Sequence, residues 1–262
     1  MELAELCRRS DENYAAAFGM LAKANGFPVE DFGGLVCTPT GVPAAPLNMG
    51  LVTRPLQDPQ AAISRAAAFF ESLDLPFVLR VREGVDPAAE SAADSLGMPY
   101  SDTVPGMVLS TIPAPPPPPP ALEIRAVRDA EELHRFHKVS ASGFDMPLEV
   151  AQSLMREAVL EEPAIEAYVG YVDGIPVTTS ALVRSGTTAG IYNVATLATH
   201  RGRGWGEAMT WRAVIGGQRA GCDVAILQAS AMGRPIYERM GFRFVAPYRT
   251  FHHPDPHRRS LR

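Results

Sequence analysis

From residue 121 onward the chain alternates between two hydrophobic periods. "ALEIRAV" (121–127) alternates apolar and polar residues from Leu122 to Ala126 and predicts a strand. "DAEELHRFHKVSA" (129–141) carries apolar residues at helical spacing, and Asp129 with Glu132 forms a capping-box start. "PLEVAQSLMREAVLEE" (147–162) reads as a second helix. "AIEAYVGYVDGIPVTTSALV" (164–183) is two strands around an Asp173-Gly174 hairpin turn, and "AGIYNVATL" (189–197) is another strand. A helix follows to about Ala220, with Gly221 as its stop. "DVAILQAS" (223–230), "GRPIYERMG" (233–241) and "FRFVAPYRTF" (242–251) then give strand, short helix, strand. The predicted order is β-α-α-β-β-β-α-β-α-β.

The first half repeats the end of that pattern. "NMGLV" at Asn48 resembles "NVATL" at Asn193; each is followed by a helix, a strand ("FVLRVRE" against "VAILQAS") and a short helix ending in Gly-apolar. Asn48 to Gly97 and Asn193 to Gly241 differ in length by one residue, which suggests an internal duplication. Between the halves stands "PAPPPPPP", Pro113 to Pro120. Consecutive prolines fix φ and offer no N–H, so this run predicts a polyproline II rod, read as a spacer in preference to an SH3 ligand. The expected domains are 1–112, a linker at 113–120, 121–255, and a solvated tail at 256–262.

Between the predicted strand 189–197 and the helix after it lies "THRGRGWGEAM" (199–209). A glycine-rich turn that opens a helix leaves backbone N–H groups unpaired at the positive end of the helix dipole, which makes an anion site. Gly202, Gly204 and Gly206 let the backbone approach a diphosphate, and Arg201 and Arg203 add charge at the rim. An RGG-like RNA contact would repeat within low-complexity surroundings, whereas this segment occurs once. The net charge of −5 argues the same way, against a nucleic-acid partner. In the first half the matching stretch reads "TRPLQDPQAA" (53–62). It has no glycine, two prolines, and Asp58 placed to cap the helix with its own negative charge, which disfavours a phosphate there.

Arg201-Gly202-Arg203-Gly204-Trp205-Gly206 resembles motif A of the GNAT superfamily of N-acetyltransferases, Arg/Gln-x-x-Gly-x-Gly/Ala, and "ILQASAMGRPIYERMGF" resembles its motif B. The resemblance covers Leu122 to about Phe251 and implies an α/β (α+β) fold: a mixed, mostly antiparallel twisted sheet flanked by helices, in tandem with a degenerate N-terminal copy. It further implies an acetyl-CoA-dependent N-acyltransferase, in which a primary amine of a small molecule or peptide attacks directly in a ternary complex. Val194, Ala195 and Thr196 would then meet the pantetheine arm, the amides of Gly202 to Glu207 the pyrophosphate, and Tyr237 would be the general acid. Ser230 stands where the family usually has asparagine. Where some relatives carry a glutamate base, this chain has Ala225; Glu166, Asp145 and His137 are more distant candidates, and no base is assigned. That gap keeps open a second reading, a non-catalytic acyl-CoA sensor.

The remaining bounds are negative. Cys7, Cys37 and Cys222 are scattered, as reduced thiols of a cytoplasmic protein would be, and His134 with His137 lacks further ligands at metal spacing. The N-terminus carries Glu2 and Glu5 and resembles neither a signal nor a transit peptide, and no run is long and apolar enough for a membrane. A monomer or homodimer without a metal is expected.

Overall fold

The computed structural model describes residues 1–253; the tail expected at 256–262 lies outside them. Helix α1 (Leu3–Ala24) leads into strands β1 (Glu30–Asp31), β2 (Leu35–Thr38) and β3 (Met49–Val52). Then follow α2 (Pro59–Ser72), β4 (Val78–Arg82), α3 (Pro87–Ser95) and β5 (Tyr100–Leu109). The second half comprises β6 (Glu123–Ala126), α4 (Ala130–Gly143), α5 (Leu148–Leu154), β7 (Ile165–Val172), β8 (Ile175–Ser185) and β9 (Thr188–Thr196). It closes with α6 (Trp205–Arg219), β10 (Val224–Gln228), α7 (Arg234–Arg239) and β11 (Arg243–His252).

The strands form one open sheet in the order β1-β2-β3-β4-β11-β5-β10-β9-β8-β7-β6. Only β3/β4 and β9/β10 are parallel; the other neighbours are antiparallel. The apolar side chains of β7, β8 and β9 split by parity. Tyr168, Leu182 and Ile191 pack under α6, while Ala167, Val169 and Val183 pack under α4. On the other half, Leu79 and Val81 face α2 and α3, while Met49 and Leu51 face Tyr14 of α1.

The two halves exchange their last strands. β5 lies between β10 and β11, and β11 lies between β4 and β5. Pro105 faces Pro247 across the β5/β11 pair. The carbonyl of Pro105 accepts the Ala229 amide and that of Pro247 accepts the Glu83 amide, each at 2.9 Å. Those amides are the first residues beyond β10 and β4, so the centre of the sheet has an approximate two-fold axis. The proline run therefore does not divide separately paired sheets: hydrogen bonds cross between the halves on both sides of that axis.

Asp129 accepts the Glu132 amide as predicted, and Asp173 (φ 50°) with Gly174 (φ 76°) makes the left-handed hairpin turn. The single helix expected over 147–162 is instead α5 followed by a 3₁₀ turn at Glu157–Glu161. The break has a tertiary cause. Asn25, at the end of α1, donates to the carbonyls of Ser153 and Leu154, and the Met155 carbonyl bonds His137 Nε2 at 2.8 Å. Met155 is thereby turned into the core beside Val159.

Candidate functional site

β9 and β10 pair at Thr188/Val224, Ala189/Ala225 and Gly190/Ile226 and then part. β9 runs on to Thr196 and β10 to Gln228, so a slot opens between their ends. β3 and β4 behave differently, remaining paired through Val52/Val81, where β3 ends. The pairing register also sets Met49 opposite the start of β4 as Thr188 stands opposite the start of β10. The sequence match of Asn48 with Asn193 is therefore offset along the strand.

A β-bulge shapes the slot wall. Between the pairs Thr179/Ala195 and Ala181/Tyr192, β9 carries one residue more than β8, and Asn193 takes φ 51°. An asparagine held there stores strain unless its surroundings fix it. Here Ser140 Oγ donates to Asn193 Oδ1 at 2.5 Å, and Thr179 Oγ1 donates to the Asn193 carbonyl at 3.0 Å. Thr178 Oγ1 holds the Ala195 carbonyl at 2.7 Å. Val194, Ala195 and Thr196 thus present a fixed backbone to the slot.

The chain leaves β9 through a 3₁₀ turn at Ala198–His200 and enters α6 through Gly202 (φ 78°) and Gly204 (φ 80°). Gly204 is the N-cap and makes no side-chain cap bond, and the first backbone bond of the helix reaches only Ala208. The amides of Trp205, Gly206 and Glu207 therefore point out of the helix start uncapped. In α2 the corresponding end is closed, since Asp58 Oδ1 accepts the Ala61 amide at 3.0 Å and Pro59 has no N–H.

Other predicted residues fall around this start. Arg203 is exposed at the rim. Arg201 is exposed there too and is held by main-chain carbonyls: Nε donates to the Thr196 carbonyl at 3.1 Å and a terminal nitrogen to the Gly143 carbonyl at 3.0 Å. Its guanidinium ties the end of α4 to the exit of β9, because those carbonyls lack helical or strand partners. Gly143 permits that contact, since a Cβ there would stand 2.7 Å from the Ala195 Cβ. Trp205 is buried against Leu122 and Ala208, so it offers the site its amide and not its ring.

Tyr237 on α7 packs edge-on to Phe242 and interacts through its hydroxyl with Thr210 of α6. Burial pushes its pKa up to about 12, against a smaller lowering by Thr210. Ser230 Oγ accepts the Gly233 amide at 3.1 Å, which leaves its proton free to donate.

Two of the three distant base candidates are engaged in hydrogen bonds. Glu166 accepts the Tyr168 hydroxyl at 2.8 Å, and Tyr168 packs on the α6 side. His137 is bound to Met155, and burial lowers its pKa. Asp145 is exposed in the turn after α4. What sequence reasoning missed is Ser140, Thr178 and Thr179, whose roles depend on strand register. Gln228 ends β10 at the slot with its side-chain nitrogen buried and unpaired. Among the described residues no three His, Cys, Asp or Glu side chains gather as a metal site, and no helix is long and apolar enough to cross a membrane.

A family model described as acetyltransferase (GNAT) domain matches residues 123–245. No curated protein matches the sequence. Among solved structures, a GCN5-related N-acetyltransferase from Kribbella flavida is similar over 97% of this chain and 98% of its own, with TM-score 0.73 and 21% identity. A tandem GNAT protein from the clavulanic acid biosynthesis pathway is similar over 84% and 78%, with TM-score 0.57 and 14% identity. A GCN5-related N-acetyltransferase from Sphaerobacter thermophilus is similar over 74% and 66%, with TM-score 0.56 and 16% identity. At these identities the likeness is one of fold.

Proposed function

We propose that the chain, whose residues 123–245 match the acetyltransferase (GNAT) domain model, is an acetyl-CoA-dependent N-acyltransferase acting on a primary amine of a small molecule or peptide. One observation carries the reading: β9 and β10 part immediately before an uncapped, glycine-built helix start. Amides without partners suit a diphosphate, and the slot beside them suits an extended arm laid along a strand edge. Both features are missing from the first half, where β3 and β4 stay paired and Asp58 caps α2. That half is proposed as a degenerate copy that holds no CoA and serves as a wall for the acceptor.

Acetyl-CoA when bound supplies a thioester whose carbonyl carbon takes the amine directly and whose sulfur leaves as thiolate. The chain's own part is to fix both reactants and the charge between them. Ser140 and Thr179 hold the Asn193 bulge, so the β9 backbone is set before binding and its amides need no reorganisation to meet a developing oxyanion. Tyr237 Oη, protonated at every ordinary pH, is the proton donor to the departing sulfur. With no carboxylate on β9 or β10, the amine arrives neutral or loses its proton to water.

Calorimetry with acetyl-CoA, followed by thiol release across an amine panel, tests the reading. Heat of binding with acceptor-dependent thiol release supports it. Binding without release from any amine would favour a sensor, and no binding would end both. Tyr237→Phe should lower kcat about 100-fold while acetyl-CoA affinity changes less than about threefold. Since Tyr237 ionises only near pH 12, its loss should remove no alkaline limb below about pH 11. Equal losses in kcat and affinity would refute the assignment.

A further inference from the structure

Two arginines of β4 face α1, and only one of them finds a carboxylate. Leu79 and Val81 pack toward α2 and α3, so by alternation Arg80 and Arg82 stand on the opposite face. Arg82 is held by Asp11. Arg80 Nε is enclosed without a partner. Among the described residues the Arg80 guanidinium meets the Tyr14 ring, 5.6 Å from its centroid, and, through space, Asp102. Arg80 is partly exposed, yet burial lowers its pKa. A cation that the protein desolvates while solvent still reaches it lies in a concavity, and it calls for an anion.

An apolar surface joins this cation to the slot. Tyr192 stands one residue before the Asn193 bulge of β9 and lies edge-on to Phe18 at 6.4 Å. Phe18 in turn lies edge-on to Tyr14 at 5.4 Å, and Tyr14 carries Arg80. Val104 of β5, partly exposed, packs against the same cluster. Arg80, Thr250 and Asp102 form one row across β4, β11 and β5. Three strand spacings, about 14 Å, separate β4 from β10. Arg80 reaches inward along that path, toward Tyr14 and Asp102, which leaves roughly 10 Å between its guanidinium and the slot.

We propose that Arg80 holds a carboxylate of the acceptor, so that the amine to be acylated belongs to a short peptide with a free C-terminus. The proposal rests on the acyltransferase reading above. A planar guanidinium pairs with a carboxylate through two parallel N–H···O bonds. Asp102, in the same row, disfavours a phosphate, whose second charge it would repel. An extended chain covers about 3.3–3.6 Å per residue, so two or three residues bridge Arg80 and a nitrogen placed at the slot. Their backbone would cross the surface made by Val104 and Phe18. A single amino acid is too short.

Glycine, diglycine, triglycine and tetraglycine, each beside its C-terminal amide, give acceptors that differ only in length and in the carboxylate. Thiol release from acetyl-CoA reads kcat/KM. For the unaltered protein kcat/KM should peak at two or three residues, and there the free acid should exceed its amide at least about tenfold. Arg80→Met should bring that ratio to within about twofold, through KM more than through kcat, while acetyl-CoA affinity stays within about twofold. Arg80→Lys, which keeps the charge without the fork, should fall between parent and Arg80→Met. Thermal unfolding should show no loss of stability in Arg80→Met, because no ion pair is removed; a loss matching that of Arg82→Met would assign Arg80 to the fold and overturn the site. Equal rates for acid and amide in the parent, or a preference that survives Arg80→Met, would also overturn it. So would acylation of other amines but of none of these peptides, and each of these results leaves the acyltransferase reading standing. Failure of the parent to bind acetyl-CoA would overturn both.

Discussion

Gly206→Val is expected to weaken acetyl-CoA binding at least about 100-fold while the protein folds as before. Gly206 is the second residue of α6 and, unlike Gly202 and Gly204, has no positive φ, so valine fits the backbone. Valine also lies no lower than glycine in helix propensity, which removes the usual reason for a fold defect. A Cβ there would stand 3.6 Å from Thr196 Oγ1 and 3.9 Å from Val194 Cγ1. Those are ordinary contacts for the Cβ, and they put the added side chain between the helix start and the segment of β9 that borders the slot. A diphosphate would lose both its approach and its hydrogen bonds, each worth about 1.5–3 kcal/mol to a charged group. Gly202→Ala is the contrasting variant. No atom lies within 4 Å of its Cβ position, but φ is 78°, so it should cost about 1–2 kcal/mol of stability and far less affinity. Calorimetry with acetyl-CoA and thermal unfolding of both variants separate the two effects. Undiminished binding by Gly206→Val would mean that the cofactor does not pass this helix start.

The elements after residue 121 were legible because their signals are local. Asp129 caps α4, Asp173-Gly174 turns the hairpin, and Gly221 (φ 92°) stops α6. The glycine spacing at 202–206 marked the cradle for the same reason, since each glycine answers to its own backbone. α1 was not legible. Its buried face includes Arg9, Ser10, Asp11 and Asn13, which erase the apolar stripe that betrays a helix. β5 was hidden by Pro105 and Gly106 at its centre, residues that argue against an internal strand. Both make sense only in the assembled sheet: Pro105 sits opposite Pro247, and a Cβ on Gly106 would stand 2.8 Å from the Tyr248 ring. The strand exchange and the Asn193 bulge are likewise relations between distant segments. Ser140 and Thr179, which hold the bulge, carry no pattern that separates them from ordinary polar residues of a helix and a strand.

The polar face of α1 also sets the largest expected effect on stability. Asp11, with its side chain 1% exposed, accepts both bonds from Arg82 Nε at 2.9 and 3.0 Å and a third from the Tyr248 hydroxyl at 2.7 Å. Asp11 stands on α1 and its two partners on β4 and β11, so one carboxylate joins the N-terminal helix to a strand from each half. Arg82→Met removes the countercharge and leaves the carboxylate buried, which should cost about 3–5 kcal/mol at pH 8. Replacing both, with Asp11→Leu, should cost less than the single change, because no uncompensated charge remains. The pH dependence follows from burial, which raises the Asp11 pKa to about 6 even beside Arg82. The folded state therefore holds a proton that the unfolded chain, with an Asp pKa of about 3.9, has already lost. That contribution is full below about pH 4 and fades as pH rises through 6. Without Arg82 the pKa moves higher still, so the penalty of the variant should grow from pH 5 to pH 8. Denaturant unfolding of the parent, Arg82→Met and the double variant at those two pH values measures it. A penalty that is the same at both would show that Asp11 does not ionise in the folded protein, and that the link between the halves is a neutral hydrogen bond.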